Sequence, residues 1–107
     1  PDKPFTLDLD IEVDPLKMYY LQKFIDVCRE RDIKVVFAIS PMFCIARKGF
    51  YAPIDSLAKK NGIPFLDYHT SGLFLDHPEY YRDGGHLWDK GARAFTSIFA
   101  HDLKQLL

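Results

Sequence analysis

From Thr6 to Asp14 the chain alternates strictly. Leu7, Leu9, Ile11 and Val13 stand against Asp8, Asp10, Glu12 and Asp14. A period of two puts the aliphatic side chains on one face and the acids on the other, as in an extended segment with one wet face. Acids along such an edge also discourage pairing with foreign strands. Residues 1–14 therefore read as an extended lead-in or edge strand. At Asp14-Pro15 the period changes. Asp14 suits an N-cap and proline suits the first helical position. Leu16, Tyr20, Phe24 and Val27 then recur at helical spacing, with Leu21, Ile25 and Cys28 beside them. Lys17, Lys23, Arg29 and Glu30 occupy the other side, so the pattern predicts an amphipathic helix with a wide apolar stripe.

Lys34–Ser40 is a short β-branched run ended by Ser40-Pro41, the pattern of a strand buried on both faces. A proline-containing loop, Pro41–Gly49, follows. The next predicted helix runs from Ala52 to Asn61, with Ile54, Leu57 and Ala58 inward and Asn61-Gly62 as its stop. Ile63–Tyr68 reads as a second strand and His69–Gly85 as a long loop. Trp88, Ala92, Phe95, Phe99, Leu103 and Leu106 line one face of a final helix, with Asp89 in its first turn. Residues 15–107 are thus an α-β-α-β-α portion of an α/β domain. That order implies right-handed crossovers and a parallel sheet covered on both sides. Two strands make a poor sheet. A further edge partner is expected from Thr6–Asp14, from an N-terminal half of a longer parent, or from a second copy in an edge-paired homodimer.

Composition narrows the classes. Apolar residues make up 48% of the 107, enough for a packed core and too many for a disordered chain. A net charge of −1 with no basic stripe argues against nucleic acid as a partner. The longest apolar run, Val35–Ile39, is far too short to span a bilayer. The sequence opens at Pro1 rather than Met, so upstream residues are expected. Cys28, on the apolar helix face, reads as a small buried hydrophobe. Cys44, in the loop, reads as a free thiol, and a Cys28–Cys44 disulfide stays open.

The candidate chemistry lies in Tyr81-Arg82-Asp83-Gly84-Gly85-His86-Leu87. In open α/β sheets ligands bind beyond the carboxyl ends of the strands, where this loop emerges. An acid three residues before a histidine, across two conformationally free glycines, can aim a carboxylate at an imidazole. Asp83 would orient the ring and His86 would act as general base. The plainer alternative is an Asp capping a turn and a His satisfied by a backbone carbonyl. Tyr81, Arg82 and Ser40 are the candidate substrate-binding residues. Arg82 has Asp83 and Glu79 as local partners, or an anionic substrate. Tyr68, Phe74, Tyr80 and Tyr81 either stack on a substrate or anchor the loop. Ser40, Ser56, Ser71 and Ser97 all lack the sharp elbow of a nucleophilic serine, and Ser40 suits a turn. His69, Asp76, His77, Asp83 and His86 share one region but show no helical ligand spacing, so no metal and no cofactor are expected. His77 and His101 read as solvent-facing.

Asp83-Gly84-Gly85-His86-Leu87, followed by Gly91-Ala92 in a terminal helix, resembles the last block of the SGNH (GDSL-type) hydrolases. The strand ending in Ser40-Pro41, Gly62-Ile63-Pro64 and the strand ending in Asp67-Tyr68 fit the same layout. The resemblance implies a flavodoxin-like three-layer α/β fold with a parallel sheet, of which this chain is the C-terminal portion. It implies Asp83 as triad acid, His86 as base, and an O-acyl ester substrate such as an acetylated carbohydrate or cell-envelope component. It also implies an extracytoplasmic or membrane-associated parent. No Gly-Asp-Ser and no Gly-x-Asn-Asp stands in this chain. The nucleophile is therefore expected upstream, in a serine ester hydrolase or acyltransferase whose 107-residue segment alone is inactive. The competing expectation is a non-catalytic α/β interaction or scaffold module.

Overall fold

The computed structural model describes residues 3–107 as a mixed α/β chain. Its elements are β1 (Phe5–Leu7), α1 (Pro15–Glu30), β2 (Phe37–Ile39), β3 (Cys44–Ala46), α2 (Ala52–Lys60), β4 (Phe65–Asp67), a 3-10 turn (Pro78–Tyr80), β5 (Tyr81–Asp83), β6 (His86–Leu87) and α3 (Asp89–Leu106). The expected order of helices and strands is present as α1-β2-α2-β4-α3. Four further short strands are threaded through it. Among the described residues the strands form three two-stranded sheets, β1–β3, β2–β4 and β5–β6, rather than one parallel sheet. No helix among the described residues is long and apolar enough to cross a membrane.

The chain divides into two compact units. One comprises the stretch ending at Asp8, Ala38–Phe50 and Asp67–Leu107; the other comprises Leu9–Phe37 and Tyr51–Leu66.

The second unit is the smaller. Asp14 caps α1 as expected, Oδ1 accepting from the N–H of Leu16 at 3.0 Å. Ile25, Ala58 and Ile63 form its buried centre, with Val35, Phe37, Leu57 and Phe65 packed around them. Both helices stop in the same way. The N–H of Ile63 reaches back to the Ala58 carbonyl while Gly62 turns through φ +65°, and the N–H of Ile33 reaches the Cys28 carbonyl while Asp32 turns through φ +57°. These are left-handed caps of the Schellman type. Asn61 is buried and exchanges two amide bonds with Gln22, at 2.8 and 2.9 Å, which fixes α2 against α1.

Three expectations are corrected here. The Leu16, Tyr20, Phe24 and Val27 stripe is 47–63% exposed, and α1 buries Ile25 and Cys28 instead. Strand β2 is not buried on both faces, since Ala38 is exposed and its neighbours only half-buried. The 41–49 loop contains β3, and it is β3 that β1 joins, in parallel, with Phe5 opposite Cys44 and Leu7 opposite Ala46. Of the alternating segment Thr6–Asp14, only Thr6 and Leu7 lie in a strand, and Leu9 and Val13 of its aliphatic face are exposed.

In the first unit Phe43, Cys44, Phe50, Tyr68, His69 and Tyr81 are buried. Tyr68 packs edge-on against Phe95 and Phe99 of α3, with ring centres 5.0 and 6.2 Å away. Trp88 is not on the buried face of α3. It caps the helix from outside and is 53% exposed.

Candidate active site

The 69–85 loop is more ordered than its composition implies. Tyr81 opens β5 with its ring buried against Phe43, centroids 5.0 Å apart, and its hydroxyl donates to the Leu73 carbonyl at 3.1 Å. Burial, and to a lesser degree the charges of Cys44 and Asp76, push its phenol up to about 12. Tyr81 thus anchors the loop, and at 2% exposure it offers a substrate no surface.

From that anchor the chain forms a β5–β6 hairpin. Asp83 pairs with His86 across Gly84-Gly85, and Tyr81 pairs with Leu87. The register shifts between Tyr81 and Asp83, so Arg82 is the extra residue of a β-bulge. Two contacts fix the turn within its unit. The Phe43 N–H donates to the Gly84 carbonyl at 2.9 Å. A Cβ on Gly84 would stand 3.0 Å from the Phe5 ring. Neither Gly84 nor Gly85 adopts a positive φ. What glycine offers at 84 is close approach to the Phe5 ring, not an unusual backbone angle. Behind the hairpin the Trp88 N–H donates to the Tyr80 carbonyl at 2.8 Å. Gly91 in the first turn of α3 leaves no room for a Cβ against Tyr80 and Leu87.

The hairpin brings the expected pair together. Nδ1 of His86 lies 2.8 Å from Oδ1 of Asp83, and the same oxygen accepts from the Gly85 N–H at 2.9 Å. The Gly85 bond first, and then the His86 bond, hold the Asp83 carboxyl below its usual range. An ionised carboxylate only accepts, so the bond needs a proton on Nδ1, and in the neutral ring the lone pair is then on Nε2. The His86 side chain is 75% exposed. The arrangement can take up a proton at Nε2 and stabilise the resulting imidazolium through Asp83.

The other candidates are scattered. Ser40 is exposed past the end of β2, Ser71 is exposed in a turn, and Ser56 and Ser97 are exposed on α2 and α3. No serine hydroxyl is hydrogen-bonded to His86 among the described residues. Arg82 pairs with neither Asp83 nor Glu79; its guanidinium lies over the Trp88 ring, 5.8 Å from the centroid. His77 is half-buried rather than a plain solvent-facing residue, stacked on Tyr80 at 4.5 Å and bonded to Glu79 at 3.0 Å. His101 is exposed on α3. No group of three metal-ligating residues occurs among the described residues.

Sequence reasoning missed one pair. Cys44 is not a loop thiol but a buried residue of β3, and its Sγ meets Nε2 of His69 at 3.1 Å. Burial pushes the Cys44 thiol up. Both cysteines are free and buried, which closes the disulfide question. The signal for this pair was the Phe43-Cys44-Ile45-Ala46 run, masked by its proximity to Pro41.

Comparisons of the chain with protein-family models, with curated proteins and with solved structures return no match.

Proposed function

We propose that Asp83 and His86 are the acid and base of a Ser-His-Asp triad, in the C-terminal segment of an SGNH-like ester hydrolase or acyltransferase with a flavodoxin-like α/β domain. The observation that carries this reading is the polarity of the pair: the carboxylate holds Nδ1, and the His86 side chain is largely exposed with no hydrogen bond at Nε2 among the described residues. In acyl transfer Nε2 takes the serine proton as the hydroxyl attacks the ester carbonyl. It then returns that proton to the leaving alcohol, and water or a second alcohol releases the acyl group from the serine. The serine is supplied by polypeptide outside these 107 residues, because none within them is bonded to His86 and none stands in a Gly-Asp-Ser block. The substrate is an O-acyl ester.

The test is hydrolysis of an acetyl ester by the longer polypeptide that contains these residues. His86→Ala is expected to lower kcat by roughly a thousandfold or more, and Asp83→Asn by a comparable order. Full activity of His86→Ala overturns the reading. Turnover by the 107 residues alone, lost on His86→Ala, overturns the placement of the serine outside them. A non-catalytic module predicts that both substitutions leave activity unchanged.

A further inference from the structure

We infer that Arg82 and Trp88 form a subsite for the carboxylate of an acidic sugar ester next to His86, an inference that rests on the acid–base reading of Asp83 and His86. Arg82 lies in β5 directly before Asp83, and Trp88 follows β6 as the N-cap of α3, two residues beyond His86. As the extra residue of the β-bulge, Arg82 is free of the ladder, and bulges commonly re-aim a side chain next to a functional site.

The neighbouring carboxylates Glu79, Asp83 and Asp89 are already paired, whereas Arg82 and Lys90 each have only a ring contact, with Trp88 and Tyr80. Glu79 accepts from His77 at 3.0 Å, Asp83 from His86 at 2.8 Å, and Asp89 from Arg93 at 3.0 Å. Arg82 forms no ion pair with any of them. Its only partner among the described residues is the Trp88 ring, 5.8 Å away. A ring contact consumes no N–H donor, so the guanidinium keeps its planar fork for a carboxylate. Bidentate pairing of that fork is among the stronger polar contacts available at a surface. Trp88 completes the chemistry. It is 53% exposed although it is the largest apolar side chain available. Its backbone is pinned through the N–H bond to Tyr80. An exposed, positioned indole offers a flat apolar surface to the C–H face of a sugar ring. An ester on a sugar that carries its own carboxylate satisfies both groups, with the ester oxygen directed toward Nε2.

Trp88 is the sole tryptophan of the chain, so intrinsic fluorescence reads this site alone. The chain is titrated with trigalacturonic acid and, in parallel, with the same trimer methyl-esterified at its carboxylates. A saturable change in Trp88 emission is expected with the acid and not with the ester. Arg82→Gln should weaken acid binding by roughly tenfold or more, and Arg82→Lys should recover only part of it, since the charge returns without the fork. An equal response to both trimers, a response to neither, or binding that survives Arg82→Gln overturns the subsite. The readout is binding rather than turnover, so the two readings fail separately. Acid-selective binding alongside a fully active His86→Ala enzyme refutes the dyad alone. His86-dependent hydrolysis without acid-selective binding refutes the subsite alone.

Discussion

The hydroxyl of Tyr68 donates to Oδ2 of Asp102 at 2.6 Å, tying the residue after β4 to the C-terminal part of α3. Burial, and then the bond to Asp102, push the Tyr68 phenol up to about 12. The Tyr81 phenol, buried against Phe43, is pushed to the same value. For both groups the unfolded chain releases its proton first, near pH 10. Their contribution to stability is therefore complete below pH 10 and lost as the pH climbs toward 12. Denaturant melts across that window should show the midpoint falling steadily. Tyr68→Phe, which strands a half-buried carboxylate, is expected to cost about 1–3 kcal/mol at neutral pH and to flatten the alkaline fall.

The matching helix stops allow a two-way test. Gly62 at φ +65° has open space around the position of a Cβ, so Gly62→Ala adds backbone strain and no clash. It should destabilise by about 1 kcal/mol. Asp32 adopts φ +57° with a side chain present. Asp32→Gly should therefore stabilise by a few tenths to about 1 kcal/mol. Paired urea titrations measure both. Changes of the same sign would refute the shared geometry.

Gly91 presents the opposite case. Here an added Cβ would collide with the Tyr80 carbonyl and Cβ and with Leu87. Gly91→Ala gains helix propensity yet is expected to lose about 1–3 kcal/mol overall from overpacking. It should also loosen the hairpin, because the same Tyr80 carbonyl accepts the Trp88 N–H. Amide exchange at Trp88 should quicken in the variant while exchange in α2 stays unchanged.

The Asp83 carboxyl should titrate below the usual carboxylate range when followed by carbon-13 NMR. Because that value is depressed, its contribution to folding is present above the ordinary range and lost as the pH falls through the depressed value. His86→Ala should raise the midpoint only partway, since the larger cause, the Gly85 N–H, remains. Complete return to the ordinary value would mean that the turn does not hold the carboxylate.

How far the sequence foretold this structure depended on whether a signal was local. Asp14-Pro15 and Asn61-Gly62 marked helix ends through capping chemistry that needs only neighbouring residues, and both stand where expected. The Asp83–His86 contact was legible for the same reason: the spacing suffices once a two-residue turn closes. Pairings that depend on distant partners were not legible. Phe5 opposite Cys44 and Cys44 against His69 join positions whose proximity no local pattern encodes. The α1 stripe misled because periodicity shows that two faces differ but not which one finds cover. Ile25 and Cys28 are covered, while Leu16, Tyr20, Phe24 and Val27 stay wet.

That outward row on α1 governs how the chain behaves in a tube. Its aliphatic and aromatic groups meet water directly, and lyotropic salts strengthen the tendency of such groups to leave it. Modest ammonium sulfate should salt the chain out early, and a hydrophobic resin should retain it more firmly than its near-neutral charge and average hydropathy would suggest.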